Sequence, residues 1–349
     1  MMRLILLGST VLLALNLGIA NGQCQITQPM VEGTTRIFML RDRNRQLSLK
    51  RTVSSANNEV LQMYCSATDI VATTCLQTRV FQPRLPQTCR APPVATAAPV
   101  QDRSCPHTMF RIGYRTGNQF LELYRSCFDT RAVRAVFVTH RVYAKPFFPR
   151  RPCVRFSTDG VIGQADESSY TVRNIHATFR ATFGNNQQFI PNNRDVVINR
   201  GHLAASADFL FGDQMCATFK YVNVVPQFAS INDRNWEAIE RWVRNSVRGN
   251  QFVDVRTGAT GILTLRVGQQ AGRQVYLNGR RNPVPEWMYK RVDNPNNRRT
   301  VVFLTYNNIF AAQRPPAPRF CRPVNCPIQL PNTARDGFTF CCDPATFSP

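Results

Sequence analysis

The residues of this chain that could do chemistry are concentrated between Asp195 and Val247. This stretch contains an NRGH motif at Asn199–His202 and, further along, Asn232, Glu240 and Arg244. Histidine titrates near neutrality and is a natural general base, arginine neutralises phosphate oxygens, and Asn and Glu supply the oxygen ligands that a hard cation takes. These are the residue types needed to cut a phosphodiester with one bound metal ion.

Three of these residues also allow an interpretation without chemistry. Asn232 opens an amphipathic run, where its side chain could cap a helix as well as bind a metal. Glu240 and Arg244 are four residues apart, which also suits an ion pair on a helix surface. Because Asn232 and Glu240 would lie ~12 Å apart on a straight helix, the sequence predicts that Glu240 reaches a metal through water.

Strands and one helix are predicted to position these side chains. The apolar runs Val196–Ile198 and Tyr221–Val225 are predicted as strands, with His202 on a loop after the first. Apolar residues recur at helical spacing from Ile231 to Val247. Few other helical periods occur, so the pattern predicts an α+β fold with an antiparallel sheet. The further predicted strands are Val60–Cys65, Phe120–Tyr124, Ala135–Thr139, Phe252–Val255, Gly261–Leu265 and Val301–Leu304.

Three blocks of this region resemble the DNA/RNA non-specific endonuclease family, the ββα-metal or His-Me-finger group. The spacing within and between the blocks matches the family throughout, and a fourth block in the tail resembles its exported arthropod branch, which includes digestive nucleases. The resemblance covers about residues 105–311 and implies a ββα-metal core, a central antiparallel sheet flanked by helices, and disulfide-stapled extensions. The four blocks are Asn199–Ala204, Asn223–Gln227, Asn232-x3-Trp236-x3-Glu240-x3-Arg244 and Phe338–Cys342.

The resemblance implies hydrolysis of DNA and/or RNA, double-stranded RNA included, without sequence specificity and with 5′-phosphate products. His202 is then the general base that activates water. Asn232 is the one direct protein ligand of Mg²⁺, with Mn²⁺ as an alternative, and Glu240 holds the water shell of the ion.

The same resemblance implies supporting roles for four further residues. Arg200 and Arg244 match positions that contact the phosphate or the transition state. Asn223 matches a residue that supports the site, and Arg155 is similar to an upstream catalytic arginine.

One position departs from the family pattern. The family signature usually begins with Asp, where this chain has Asn199. The change removes a negative charge beside His202 and leaves open an alternative function, a catalytically impaired and strongly basic protein that binds and sequesters nucleic acid.

Charge independently favours a polyanionic partner. The formal net charge is +22, and 39 of the 43 basic residues are Arg. The guanidinium group grips phosphate with two hydrogen bonds and stays charged at any attainable pH. We therefore expect DNA and RNA as partners, bound through the phosphate backbone.

The cysteines and the N-terminus predict export. Residues 1–22 have the basic, apolar and small-residue segments of a signal peptide, and no other run approaches ~20 apolar residues, so no membrane association is expected. The 12 cysteines then predict a disulfide framework in a secreted protein, for which digestive or salivary fluid is a plausible setting. Neither the disulfide pairing nor the oligomeric state follows from the residues.

The predicted organisation has four parts. After the signal peptide, 1–22, residues 23–104 form a Cys-containing accessory region or a removable pro-segment, and within it 91–100 is Pro/Ala-rich and predicted as a linker or exposed loop. Residues 105–311 form the endonuclease domain. Residues 312–349 form a Pro/Cys-rich tail packed on that domain.

Overall fold

The computed structural model describes residues 23–42, 44, 46–85, 88–153 and 155–349. The predicted signal peptide, 1–22, lies outside the described residues. Within them the chain is an α+β protein with much more strand than helix, which confirms the predicted fold class. No helix of the described part is long and apolar enough to cross a membrane.

The N-terminal region folds into a small antiparallel sheet of its own. Two disulfides, Cys24–Cys75 and Cys65–Cys89, tie this region together. Its elements are β1 (Cys24–Gln25), α1 (Gln28–Glu32), β2 (Ile37–Arg41), β3 (Leu47–Leu49), β4 (Ser54–Ser55), β5 (Val60–Ser66), β6 (Asp69–Cys75) and β7 (Phe81–Gln82). The sheet order is β3-β2-β5-β6-β7.

The N-terminal region packs directly on the rest of the molecule. The ring of Phe38 lies 4.6 Å from that of Phe211, measured between centroids, and Gln214 Nε2 donates to the Lys50 carbonyl at 2.9 Å. Leu210 and Phe211 belong to the same apolar cluster as the buried residues of the N-terminal sheet. Residues 23–85 therefore share a core with the larger body.

The second half of the predicted linker is a strand. Thr96–Val100 pairs with the strand Thr108–Thr116 at the edge of the main sheet. The linker prediction is therefore wrong for this half. Pro99 is compatible with the pairing because proline is tolerated on edge strands, where a missing N–H leaves no ladder partner unsatisfied.

The larger body is built on a nine-stranded sheet. Its elements up to the central hairpin are β8 (Thr96–Val100), β9 (Thr108–Thr116), β10 (Gln119–Asp129), β11 (Arg134–Tyr143), α2 (Gln164–Ser168), α3 (Val172–Phe183), β12 (Ile198–His202), α4 (Gly212–Cys216) and β13 (Val224–Phe228). The remaining elements are α5 (Ala229–Ile231), α6 (Glu237–Asn245), β14 (Phe252–Thr260), β15 (Thr264–Leu265), β16 (Arg273–Gln274), β17 (Tyr276–Asn278), β18 (Arg281–Pro283), β19 (Trp287–Asn294), β20 (Arg299–Tyr306), β21 (Pro323–Val324) and β22 (Thr339–Cys342). The sheet order is β21-β22-β20-β19-β14-β11-β10-β9-β8, and all pairs are antiparallel.

One face of this sheet carries the hairpin and helix that contain most of the predicted site residues. The hairpin β12–β13 leads into α5, a π-helical turn at Asn232–Trp236, and α6, which together form one continuous helix. Trp236, Ile239 and Val243 are buried beneath this helix. The predicted amphipathic face therefore exists, and burial of these apolar side chains holds the helix on the sheet.

Four further disulfides crosslink the larger body and the tail. The tail contributes two strands to the main sheet, and two disulfides join positions within it. The bridges outside the N-terminal region are Cys105–Cys127, Cys153–Cys216, Cys321–Cys342 and Cys326–Cys341, and none of the 12 cysteines is free.

Candidate active site

The hairpin fixes the position of His202. The strand begins at Ile198, two residues later than predicted, and runs through the NRGH motif, so His202 ends the strand instead of lying on a loop. In the register His202 faces Val224 and Gly201 faces Val225. A Cβ on Gly201 would lie 2.3 Å from the side-chain oxygen of Gln227 and 2.6 Å from its Cβ. Glycine is therefore required here because the buried Gln227 side chain occupies that space.

The second predicted strand of the unit also shifts. Tyr221–Asn223 form a 3-10 turn, and the strand begins at Val224. Because Asn223 lies in this turn and not in the strand, its side chain bonds to the main chain of neighbouring segments. Its Oδ1 accepts from the Ala204 N–H at 2.8 Å, and its Nδ2 donates to the carbonyls of Ala204 at 3.0 Å and Thr218 at 2.8 Å. Asn223 is fully buried, so it clamps the chain after His202 and has no surface on which to touch a substrate.

His202 lies between two aromatic rings with one nitrogen unpaired. Its ring centroid is 5.2 Å from that of Phe156 and 4.9 Å from that of Phe219. Burial, reinforced by the charge of Arg151, lowers the pKa of His202 to about 4, while a hydrogen bond with the Arg200 main chain opposes the shift. Nε2 has no hydrogen-bond partner among the described residues. The ring is therefore neutral at physiological pH, and Nε2 is both unpaired and shielded from solvent, so a water must enter beside it before Nε2 can accept a proton.

Arg200 lies among aromatic rings beside this base. Its guanidinium carbon is 5.2 Å from the Phe156 ring and 5.7 Å from the Tyr221 ring, and its Nε donates to the Tyr221 hydroxyl at 3.2 Å. The ring contacts and the hydrogen bond orient the planar guanidinium group of Arg200. Among the described residues no carboxylate forms an ion pair with it. The structure thus presents a fixed positive group next to His202.

The helix begins one turn earlier than predicted. The first turn starts at Ala229, whose N–H donates to the Val197 carbonyl at 2.9 Å. Asn232 is inside the helix and starts the π-helical turn, so it does not act as the helix N-cap. Its Nδ2 donates to Asp233 Oδ1 at 2.8 Å, which leaves its own Oδ1 as the available ligand atom.

Glu240 and Arg244 belong to a buried network, not to the helix surface. Arg244 Nη1 lies 3.2 Å from Asp208 Oδ1 and 3.8 Å from Glu240 Oε2. The other oxygen of Asp208 lies 2.8 Å from His140 Nε2. The side chains of Arg244, Asp208 and His140 are 7%, 2% and 0% exposed, so the interpretation as a surface ion pair is wrong.

The electrostatics of this network balance two acids against three bases. Burial alone would raise the pKa of Asp208, but its hydrogen bond with His140 and the charges of Lys290 and Arg244 lower it to about 2. Burial raises the pKa of Glu240 to about 7 despite the opposing charge of Lys290. Burial also lowers the pKa of His140, which favours a neutral ring that donates Nε2–H to Asp208.

Sequence reasoning did not identify three members of this network: Asp208, His140 and Lys290. His140 lies on β11 and Lys290 on β19, and Lys290 Nζ donates to Thr257 Oγ1 at 2.7 Å and faces the Trp236 ring at 5.0 Å. Only sheet pairing brings these distant positions under α6. The one local signal was a polar residue on the buried face of a strand for His140 and Lys290, whereas Asp208 lies on a 3-10 turn and gave no such signal.

Arg155 does not belong to the buried network around Asp208 and Arg244. It is exposed, and no hydrogen bond, ion pair or ring contact joins it to another predicted site residue within the described ranges. It lines a cleft next to His202, together with Arg150 and Arg151.

The residues present fit a hard cation. Among the described residues no group of three or more His, Cys, Asp and Glu side chains could hold a metal ion. Magnesium does not need such a cage, because it keeps several waters and takes one or two protein oxygens. The free Oδ1 of Asn232 and the buried, incompletely compensated carboxyl of Glu240 are oxygen donors of this kind.

The family follows from this core and from comparison with known proteins. A sequence model of the DNA/RNA non-specific endonuclease family matches residues 105–347, and the chain belongs to that family. A salivary endonuclease of Lutzomyia longipalpis is 29% identical over 57% of this chain and 49% of that protein. A salivary endonuclease of Culex quinquefasciatus is 22% identical over 93% of this chain and 88% of that protein. Human mitochondrial endonuclease G is 32% identical over 39% of this chain and 40% of that protein.

These alignments differ in extent. The chain spans about half the length of the Lutzomyia protein, and less than half of the human one. Residues 23–104 precede the segment that the family model matches.

Proposed function

We propose that this chain hydrolyses internal phosphodiester bonds of DNA and RNA, double-stranded RNA included, without sequence specificity. The observation that carries the proposal is the neutral His202, with an unpaired Nε2, beside the Arg200 guanidinium group, which aromatic rings and the Tyr221 hydroxyl hold in place. Family membership supports nucleic acid as the substrate class. The net charge of +22 supports binding through the phosphate backbone.

In the proposed reaction Nε2 of His202 removes a proton from the attacking water. Arg200 and Arg244 neutralise the phosphate as negative charge develops on its oxygens. Cleavage of the bond to the 3′ oxygen would leave a 5′-phosphate. Asp208 and His140 act indirectly, because they hold the Arg244 guanidinium in one orientation.

Asn232 and Glu240 would hold the metal ion, Asn232 directly and Glu240 through water. Mg²⁺, or Mn²⁺ in its place, supplies a positive charge at the phosphate and the leaving oxygen. Asn223 supports the site by clamping the main chain at Ala204. Arg155 is proposed to contact the substrate outside the immediate site.

We also propose that the protein acts outside the cell, in digestive or salivary fluid. Six disulfides suit an oxidising compartment. The salivary endonucleases of Lutzomyia longipalpis and Culex quinquefasciatus support the same setting.

Cleavage of plasmid DNA and of double-stranded RNA, each with Mg²⁺ and with EDTA, tests the function. His202→Ala should abolish cutting, and His176→Ala on α3, outside the site, should not. Cutting that survives EDTA would contradict the metal requirement. Salt-sensitive binding without cutting by the wild type would instead favour the sequestering function and implicate Asn199.

A further inference from the structure

A cleft of about 740 Å³ separates the N-terminal region from the endonuclease body. Residues of both parts line it: one wall has Val31, Glu32, Thr34, Thr35 and Pro92–Ala95 of the N-terminal region, and the other has Pro149–Cys153, Arg155, Ser157, Gly212, Phe219 and Lys220 of the endonuclease body. The first wall lies entirely outside residues 105–347, the part that the family model matches. The cleft is therefore a feature that the family core does not build by itself.

The cleft runs beside the candidate base. Phe219 lines it, and the Phe219 and His202 rings pack edge to face with their centroids 4.9 Å apart. Arg155 and Ser157 also line it, and they flank Phe156, the second ring against His202. The Phe219 ring thus lies between the cleft and His202. A polynucleotide strand whose scissile phosphate is at His202 would reach the cleft.

Its charge is positive on the endonuclease side. Arg150, Arg151 and Arg155 are exposed along this wall, and no ion pair joins any of them to a carboxylate of the described residues. Lys220 is neutralised by Asp159 at 2.7 Å, and the half-buried Asp213 accepts from the Tyr114 hydroxyl at 2.8 Å. Glu32 is the remaining acid, and it accepts from the Arg150 main-chain N–H at 2.7 Å.

The N-terminal wall has apolar surface beside Glu32, Thr34 and Thr35, and a disulfide fixes the endonuclease wall. Pro92, Pro93 and Val94 form this apolar surface, and Val94 is 76% exposed. The Cys153–Cys216 disulfide crosslinks the two segments of the endonuclease side. A row of guanidinium groups facing an apolar wall suits a nucleic-acid strand, since the phosphates pair with Arg and the bases or sugars cover apolar surface.

We propose that this cleft binds the nucleic-acid strand that continues beyond the scissile phosphate, with residues 23–104 as its second wall. The proposal rests on the proposed function for the class of substrate. It assigns the N-terminal region a part in substrate binding, which would be lost if that region were removed.

Binding without catalysis tests the proposal separately from the reaction. Fluorescence anisotropy in EDTA, with His202→Ala as the parent protein, measures the Kd of a fluorescein-labelled 20-nucleotide duplex and of a 4-nucleotide strand. Val94→Glu places a negative charge on the apolar wall, and Arg150→Gln removes a cation from the other. The matched control is Val80→Glu, because Val80 is also an exposed valine of the N-terminal region, at 56%, and lies outside the cleft.

Both cleft variants should weaken binding of the long duplex about 3- to 10-fold and leave the short strand within about twofold of the parent. Arg150→Gln should also make the slope of log K against log salt less steep, by about the amount expected for the loss of one phosphate contact. Val80→Glu should leave the long duplex within about twofold. If the cleft variants and the control variant bind the long duplex with equal Kd, the proposal is overturned. The cleft is then only a boundary between the two regions.

The two failures are distinguishable. A protein that binds the long duplex through the cleft but cuts nothing with Mg²⁺ when His202 is present would contradict the proposed function alone. Equal losses on the long and short ligands would place the cleft residues at the scissile phosphate and would also overturn the flanking-strand assignment.

Discussion

Asp208→Asn is the sharpest perturbation of the buried network. One oxygen of Asp208 accepts from His140 at 2.8 Å and the other lies 3.2 Å from Arg244 Nη1, and the side chain is 2% exposed. An Asn of the same shape could keep its oxygen toward His140 only by turning its NH₂ group toward the Arg244 guanidinium. The substitution therefore leaves Arg244 with the longer approaches of Glu240 and Glu237, each at 3.8 Å, in place of the carboxylate at 3.2 Å.

The expected cost follows from burial. Removing one partner of a buried ion pair typically costs about 3–5 kcal/mol, because the other charge stays buried and uncompensated. Since the unfolding entropy is about 2.1 cal/mol/K per residue, this corresponds to a fall in Tm of roughly 4–7 °C for a chain of this length. We also expect kcat to fall at least ~10-fold, because Arg244 loses its orientation toward the phosphate.

Asp254→Asn is the matched control. Asp254 pairs with Arg141 at 3.0 Å, but their side chains are 48% and 56% exposed. A pair so exposed contributes about 0–1 kcal/mol, so its loss should shift Tm by no more than ~1.5 °C. Scanning calorimetry of both variants and the wild type at pH 7, without reductant, makes the comparison.

The pH dependence provides a second measurement on the same variant. The pKa of Asp208 is lowered to about 2 in the fold, below the ~3.9 of an unfolded Asp. Its stabilising contribution is therefore complete above pH ~4 and is lost as the pH falls through about 2. The difference in Tm between wild type and Asp208→Asn should be largest near pH 5 and shrink below pH 4. It should also narrow toward pH 7, because loss of the Asp208 charge lowers the pKa of Glu240 and relieves the cost of ionising that buried carboxyl. A shift at pH 7 no larger than that of Asp254→Asn would refute the reasoning.

Two further predictions concern the hairpin. Because the pKa of His202 is lowered to about 4 and that of Glu240 is raised to about 7, kcat/KM measured with Mg²⁺ should fall in two steps as the pH is lowered, near 7 as Glu240 is protonated and near 4 as His202 is protonated. An acid limb near 6.5 that persists in Glu240→Gln would show that the His202 ring is less desolvated than the structure has it. Gly201→Ala should lower the unfolding free energy by about 1–3 kcal/mol, measured by thermal unfolding, and should reduce kcat, because the new Cβ would overlap Gln227. Gly212→Ala is the control, since its Cβ would meet Pro152 Cγ at 3.3 Å; equal effects of the two would contradict the close-approach argument.

Local chemistry in the chain determined several features before any tertiary structure was known. The α+β class, the strands at Val60–Cys65 and Val301–Leu304, and an amphipathic helix near Asn232 are confirmed. Each depends on neighbouring residues, because side-chain periodicity of two or 3.6 is a property of the segment itself. The identities of the proposed site residues depended on the spacing of a family motif within one stretch.

Boundaries were predicted less well. The helix begins at Ala229 because its first N–H is satisfied by Val197 on the neighbouring strand, a partner that no local signal reveals. Val172–Phe183 was not predicted as a helix, although it buries Ile175 and Phe179. Val172, Ile175, Phe179 and Phe183 recur at helical spacing in this segment, so a local signal for the helix was present, and in the fold the helix packs against β17.

Only the tertiary structure decided how the site is supported. His140 and Lys290 come from strands that are far from α6 in sequence, and sheet pairing places them at Asp208 and around Glu240. The sequence supplied the charged groups, whereas burial turned an apparent surface pair into a network with shifted pKa values. The sequence determined which groups are present, and the fold determined which of them are removed from water, because desolvation and pairing depend on neighbours that only folding brings together.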